Sequence, residues 1–272
     1  MKPVLRYPGA KWSISDWIVS HLPPHDVYLE PFFGSGAVFF NKPPSRLETI
    51  NDLSVEVVNL FKVLRDNPVE LERMIELTPW SREEYYSCTM PNGNTPKSGN
   101  DIEDARRFLV RCWQGMSSKI DGRTGWRCDI KCECGQNHVK TWLKVPERIR
   151  DVVDRLKQVQ IEQQPAVELI KRYKNENVLI YADPPYPLST RSGTMYYYEM
   201  SDKEHIELLE TLNEHPGPVI ISGYECQLYE NNLSEWIKET KSAVADKGKR
   251  KEVIWINKAA YMYSNRLFES TQ

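Results

Sequence analysis

The sequence predicts an α/β protein interrupted by a helical, basic insertion. Short apolar runs alternate with amphipathic helical stretches at both ends of the chain, whereas the middle is helical and then irregular. Charge marks the same division. Between residues 105 and 150, eleven Lys/Arg stand against four Asp/Glu, an excess of seven in a chain of formal net charge −2. The rest of the chain is therefore acidic, which suits a local phosphate-binding surface or a solvated helical face. The α/β part is expected over 1–62 and 161–272, and the insertion over 63–160.

The elements follow in order. Residues 13–22 read as a short helix ending before Pro23-Pro24, and Val27-Tyr28-Leu29 as a buried strand. A helix starts in 35–40, a second strand covers 47–50, and 54–65 is a helix with Val57, Val58, Phe61 and Leu64 on one face. Ser81-Arg82-Glu83-Glu84 is a capping-box pattern. Residues 90–100, rich in Pro, Gly, Ser and Asn, read as a loop before an amphipathic helix over 101–114. Residues 117–141 read as basic loops plus a hairpin, and 146–156 as a helix. The α/β pattern then returns, with a strand over 178–182 and a helix opened by the box Ser201-Asp202-Lys203-Glu204. A strand over 218–222 follows, then a basic turn over 247–251 and a last strand over 252–256.

Composition excludes several classes. No apolar run approaches membrane-spanning length, and the first residues lack a signal peptide's apolar core. Six unevenly spread cysteines in a chain of 272 residues make a reducing cytoplasm the expected setting.

The most informative motif is Asp183-Pro184-Pro185-Tyr186, directly after the Val178 strand. Proline fixes φ and donates no N–H, so carbonyls here can face a ligand. An Asp oxygen and a carbonyl can accept the two hydrogens of an exocyclic amine, while the Tyr ring stacks on its plane. Glu30-Pro31-Phe32-Phe33-Gly34-Ser35-Gly36 follows the first strand, and Asn51-Asp52 ends the second. Two glycines permit close backbone approach, and a carboxylate at that distance suits ribose hydroxyls. Alone, Gly-x-Gly is more often an ordinary turn. Phe39 occupies the place where a dehydrogenase fingerprint needs Gly or Ala, which argues against a dinucleotide. Glu30 would repel a phosphate and favour a cationic, phosphate-free cofactor such as S-adenosylmethionine. The turn around Gly9 with Lys11 suits that cofactor's carboxylate end.

In this order, Tyr7-Pro8-Gly9-Ala10-Lys11, the Glu30–Gly36 motif, Asn51-Asp52, a helical insertion and the Asp183 tetrad resemble the Dam-type (alpha-group) family of DNA adenine-N6 methyltransferases. The resemblance covers most of the chain. It implies a Rossmann-like S-adenosylmethionine-dependent methyltransferase fold with a mainly helical inserted DNA-recognition domain containing a hairpin. It implies cofactor contacts from Tyr7, Lys11, Gly34, Gly36, Asp52 and Asp183. Asp183, Pro184 and Tyr186 would hold a flipped adenine in double-stranded DNA for catalysis, and Tyr196-Tyr197-Tyr198 could supply a second aromatic face. One departure is Ala10, where the family usually has glycine; a positive φ there would force the loop to shift.

Arg106, Lys119, Arg123, Arg127 and Lys140 are the expected DNA-binding residues, with Gln114, Arg123 and Arg127 as first candidates for base contacts. No metal is expected to be required, with zinc at Cys128, Cys132, Cys134 and His138 as the alternative. A cytoplasmic monomer of bacterial or phage origin is expected, with no membrane partner. A cognate restriction endonuclease, an orphan regulatory role and a phage role remain alternatives. Rival activities are amino methylation of cytosine or of RNA, and a non-catalytic DNA-binding regulator of the same fold.

Overall fold

The computed structural model describes residues 1–117, 122–128, 137–191, 193–245 and 248–262. Seven strands form one sheet: β1 (Val27–Glu30), β2 (Leu47–Asn51), β3 (Gln160–Glu162), β4 (Val178–Ala182), β5 (Val219–Gly223), β6 (Ile237–Ala245) and β7 (Gly248–Ile256). Their order is β3-β2-β1-β4-β5-β7-β6. Strands β1 to β5 pair in parallel, whereas β7 runs antiparallel to both β5 and β6. The chain steps outward from β1 to β3 and then returns to lay β4 beside β1. Ligands of such Rossmann-like sheets bind outside the carboxyl ends of the strands where this order reverses.

The helices are α1 (Ser15–Ser20), α2 (Ala37–Asn41), α3 (Val55–Asp66), α4 (Pro68–Glu76), α5 (Arg82–Ser87), α6 (Asp101–Gln114), α7 (His138–Trp142), α8 (Val145–Leu156), α9 (Ala166–Arg172), α10 (Asp202–Asn213) and α11 (Gln227–Asn232). The chain divides into two compact units. The sheet unit comprises Lys11–Leu53, Val159–Thr194 and the described part of Tyr198–Gln272, and the helical unit comprises Met1–Ala10, Ser54–Gln158 and Met195–Tyr197.

Within the sheet unit, period-two alternation sorts the strands' side chains onto two faces. Leu29, Ile180, Val219, Ile221, Val253 and Trp255 pack with Leu169 and Ile170 of α9 and with Leu208, Leu209 and Leu212 of α10. Each fully buried leucine contributes roughly 1.5–3 kcal/mol. The alternate positions carry buried polar groups. The Tyr28 hydroxyl donates to Glu30 at 2.7 Å, and Tyr181 and Ser222 share a hydrogen bond at 2.8 Å.

The helical unit is tied by polar contacts across its helices. Arg111 of α6 pairs with Glu56 of α3 at 3.2 Å, and Asn59 donates to the Asp101 carbonyl at 2.8 Å. Trp113 Nε1 donates to the Val4 carbonyl and Arg148 to that of Pro3, both at 2.8 Å, so the first residues belong here. The division expected at 62/63 falls inside α3, whereas this unit takes up the chain from Ser54.

Several elements differ from expectation. Residues 248–251 continue β7 rather than forming a basic turn, because they pair with β6. Strand β6 has no apolar face to announce it. Residues 138–142, expected to be irregular, form α7, whose cap is the Asn137 side chain accepting from the Lys140 amide at 2.8 Å. Much of the segment expected to hold a hairpin, 118–121 and 129–136, lies outside the described residues; beside it an isolated antiparallel bridge joins Gly115 and Trp126, where the Met116 amide donates to Gly125 at 2.8 Å. At α5 only half of the capping box forms. Ser81 accepts from the Glu84 amide at 3.1 Å, but its own amide donates to Gln114 at 3.2 Å and Glu84 turns to Arg106. The box at α10 is complete.

Ser201→Ala removes the α10 cap and is expected to cost about 1 kcal/mol. Urea denaturation should show this as a lower midpoint at unchanged slope.

Candidate functional site

The loop after β1 is stitched to the end of β2. The Phe33 amide donates to the Asn51 carbonyl at 2.9 Å, Asn51 Nδ2 donates to the Pro31 carbonyl at 2.9 Å, and the Gly34 amide donates to Asp52 Oδ2 at 2.8 Å. Glycine is required at the loop's end. Gly36 has φ +69°, and a Cβ there would stand 2.4 Å from the Phe33 ring. It also forms the N-cap of α2.

The tetrad begins one residue beyond β4. Its carboxylate, Asp183, forms an ion pair with Lys11 at 3.0 Å. Lys11 is 5% exposed, and its ammonium lies 4.7 Å from the centroid of the Tyr186 ring. Burial alone would lower the Lys11 pKa, but the attraction of Asp183 and Glu252 leaves it above its ordinary value. The lysine is therefore a standing cation. Burial raises the Asp183 pKa, with Lys11 opposing. The Lys11 segment is anchored by Trp12, whose Nε1 donates to Ser35 Oγ at 3.0 Å and whose ring stacks on Phe40.

Tyr186 is held on several sides. Its hydroxyl donates to Glu252 Oε2 at 3.0 Å, its ring meets Tyr224 edge-on at 4.5 Å, and its carbonyl accepts from Arg191 Nε at 2.7 Å. Arg191 also forks onto Glu199. Burial, then Asp183 and Glu252, push the Tyr186 pKa far up, so the phenol remains a proton donor. A partly buried carboxylate beside a fixed aromatic plane can hold a flat ring through an exocyclic amine.

Glu30 is not the standing negative charge expected of it. It is 2% exposed, and burial pushes its pKa up to about 8, against the opposing hydrogen bond from Tyr28. At neutral pH it is mainly a neutral acid.

Tyr7, expected at a cofactor, belongs to the helical unit, where its ring lies 6.2 Å from Tyr196. Ala10 needs no loop shift. Among the described residues no non-glycine has positive φ, and Gly9 alone takes the strained turn of that segment at φ +68°. Tyr197, in the same unit, faces Arg111, and Tyr198 is 48% exposed.

The structure sorts the basic cluster. Arg106 is committed to Glu84 at 2.5 Å and to Glu103 at 2.7 Å. Arg127 donates to the carbonyls of Gly115 and Met116 and lies 3.1 Å from His138 Nε2, so it braces the bridge between Gly115 and Trp126. Gln114, expected at a base edge, is fully buried and donates to the Pro79 carbonyl at 2.9 Å. Arg123 is exposed over the Tyr86 ring at 5.1 Å, and Lys140 is exposed on α7. Lys119, Cys132 and Cys134 lie outside the described residues. Among the described residues no group of three or more His, Cys, Asp or Glu is arranged to hold a metal.

Sequence reasoning missed Tyr224 and Glu252. Each adjoins an apolar strand run and shows no motif. Tyr224 directly follows the parallel strand β5, whereas Glu252 reaches the same end only because β7 runs antiparallel to β5.

A family model described as D12 class N6 adenine-specific DNA methyltransferase matches residues 7–251. A DNA adenine methylase of Escherichia coli (strain K12) is 27% identical over 261 residues, covering 92% of this chain and 91% of that protein. A DNA adenine methylase of Salmonella typhi is 26% identical, with the same coverage of 92% and 91%. The type II methyltransferase M.MjaIII of Methanocaldococcus jannaschii is 26% identical over 237 residues, covering 76% of this chain and 78% of that protein.

Two outcomes are expected. Gly36→Ala should cost about 1–3 kcal/mol in chemical denaturation, through backbone strain and the Phe33 clash. Glu30 has a folded pKa raised above its ordinary value of 4.5, so its contribution to stability is full below about 4.5 and is lost as pH rises through about 8. Glu30→Gln should therefore gain in urea midpoint over the unmodified protein as pH rises across that window, and gain no further above it.

Proposed function

The chain belongs to the D12 class of N6 adenine-specific DNA methyltransferases, and we propose that Asp183, the Pro184 carbonyl and Tyr186 are the groups that hold its adenine. The enzyme transfers a methyl group from S-adenosylmethionine to N6 of adenine in DNA. The observation that carries the assignment is the partly buried Asp183 carboxylate, paired with Lys11 at the carboxyl end of β4 with the Tyr186 ring against the same ammonium.

Adenine's amine is a weak nucleophile because its lone pair is delocalised into the ring. Asp183 and the Pro184 carbonyl accept its two N–H bonds and steer the nitrogen towards tetrahedral geometry. The lone pair then points out of the ring plane, ready for in-line displacement. Positioning and electrostatics suffice, and no covalent enzyme intermediate is needed. As the N–C bond forms and the sulfur–methyl bond breaks, its electron pair staying on sulfur, positive charge would pass to the nitrogen, and one proton would move towards Asp183, whose raised pKa suits that task. Lys11 occupies the same carboxylate, so an entering amine must displace or share with it.

The donor set fits the cofactor. Asp52 suits ribose hydroxyls, and the loop over 31–36 permits close approach and carries no Lys or Arg to select a phosphate. Lys11, Gly34, Gly36, Asp52 and Asp183 form the proposed binding set; Tyr7 joins it from the resemblance alone. When bound, S-adenosylmethionine supplies a methyl group on a positively charged sulfur. No metal enters this scheme.

The target base must leave the duplex to be reached, so the substrate is double-stranded DNA with a flipped adenine. Arg123 and Lys140, exposed on the helical unit, are the proposed phosphate contacts, with Lys119 beside them in sequence. Arg106 and Arg127 hold that platform together. A monomer in the cytoplasm of a bacterium, or of a phage's host, fits this reading. Partnership with a restriction endonuclease is a further proposal, suggested by the type II relative.

Asp183→Ala would strand the buried Lys11 ammonium, so Asp183→Asn is the cleaner variant. It should lower methyl transfer at least about 100-fold while thermal melting stays cooperative. Full activity with tritiated methyl donor would refute the assignment. Single-molecule sequencing of DNA methylated by the purified protein should show N6-methyladenine and its sequence context.

A further inference from the structure

We propose that Glu252 is a positioning residue for methyl transfer, which takes the Tyr186 hydroxyl so that this hydroxyl does not occupy Asp183. The inference deepens the reading above and rests on Asp183 as acceptor of the adenine amine.

Three observations carry it. First, the Tyr186 hydroxyl donates to Glu252 Oε2 at 3.0 Å. Second, one ammonium touches both groups, since Lys11 lies 3.0 Å from Asp183 and 4.7 Å from the Tyr186 ring centroid, and at that proximity the phenol lowers the Asp183 pKa. The phenol thus has two carboxylates within reach. Third, Tyr186 is 8% exposed, so a hydroxyl that loses its acceptor finds little water and turns to the remaining carboxylate. That carboxylate already faces Lys11 at 3.0 Å. A second donor there would compete with the amine for the acceptor sites that Lys11 leaves.

Topology explains why the competing acceptor comes from β7. Gly223 of β5 pairs with Val253 of β7, so Glu252 lies beside Tyr224, just past the carboxyl end of β5. A parallel strand would point that position away from the site. Tyr224 adds a second restraint by meeting the Tyr186 ring edge-on at 4.5 Å, which limits the ring's rotation while Glu252 holds its tip.

Loss of a charge-assisted hydrogen bond of this kind corresponds to roughly a tenfold effect or more. Glu252→Leu should lower kcat for methyl transfer about tenfold, with cofactor affinity by calorimetry changed less than about twofold. Glu252→Gln keeps an acceptor for the hydroxyl and should lose less than Glu252→Leu. The decisive comparison is the double variant Glu252→Leu/Tyr186→Phe. It has no hydroxyl to compete for Asp183, so it should be more active than Glu252→Leu alone. A structural role for Glu252 would make the second substitution neutral or additive. The proposal is overturned if Glu252→Leu matches the unmodified enzyme, or if the double variant is no more active than the single one. Should Glu252→Leu fail to melt cooperatively, Glu252→Ala replaces it under the same comparison; a double variant that folds but recovers nothing also overturns the proposal. Asp183→Asn is run alongside. Retained activity there would defeat the reading of Asp183, whereas an inactive Asp183→Asn with no recovery in the double variant defeats only the role of Glu252.

Discussion

A buried ammonium and a partly buried carboxylate, Lys11 and Asp183, stand 3.0 Å apart where the strand order of the sheet reverses. Taking two such charges out of water is costly unless geometry and further partners compensate. The surroundings supply both. Trp12 pins the Lys11 segment to Ser35, the Tyr186 ring lies under the ammonium, and Glu252 adds a second negative charge nearby. The pair is also chemically unfinished. In the proposed reading its carboxylate also accepts the adenine amine, so Lys11 must then yield or share.

The site therefore rests on competition among donors for few acceptors. Lys11 and the Tyr186 hydroxyl both lie near Asp183, while Glu252 draws on both. Glu30 sits behind them as a neutral acid at neutral pH. The loop after β1 is held by other bonds, with the Phe33 amide donating to the Asn51 carbonyl of β2 and the Gly34 amide to the Asp52 side chain.

Charge in the helical unit follows a similar economy. The excess of basic residues between 105 and 150 does not translate into an equal excess of surface charge. Arg106 and Arg111 are spent on internal carboxylates, and Arg127 on the carbonyls of Gly115 and Met116. Among the described residues of this segment Arg123, Lys140, Lys144 and Arg150 stay exposed; Arg123 lies over Tyr86, as Arg82, outside the segment, lies over Trp126. Such pairs keep a guanidinium oriented at modest entropic cost and leave its edges available for phosphate.

Local chemistry was legible in the chain. The tetrad, the Gly34–Gly36 loop and Asp52 announced themselves because proline, glycine and a strand-end carboxylate constrain backbone and ligand within a few residues. The cap at Ser201 was legible for the same reason, as was the helix α6 with its apolar face. Long-range register was not. Strand β6 carries no alternating apolar face, so nothing local showed that β7 would return antiparallel and bring Glu252 to Tyr186. Nor could spacing tell that Gln114 would be buried, or that half of the Ser81 box would go to a residue 33 positions away. The sequence by itself determined the chemistry of the site, because its loops carry that chemistry within single turns. Tertiary structure alone decided which charges are spent internally and which hydroxyl competes for Asp183, because those outcomes depend on burial and on partners distant in the chain.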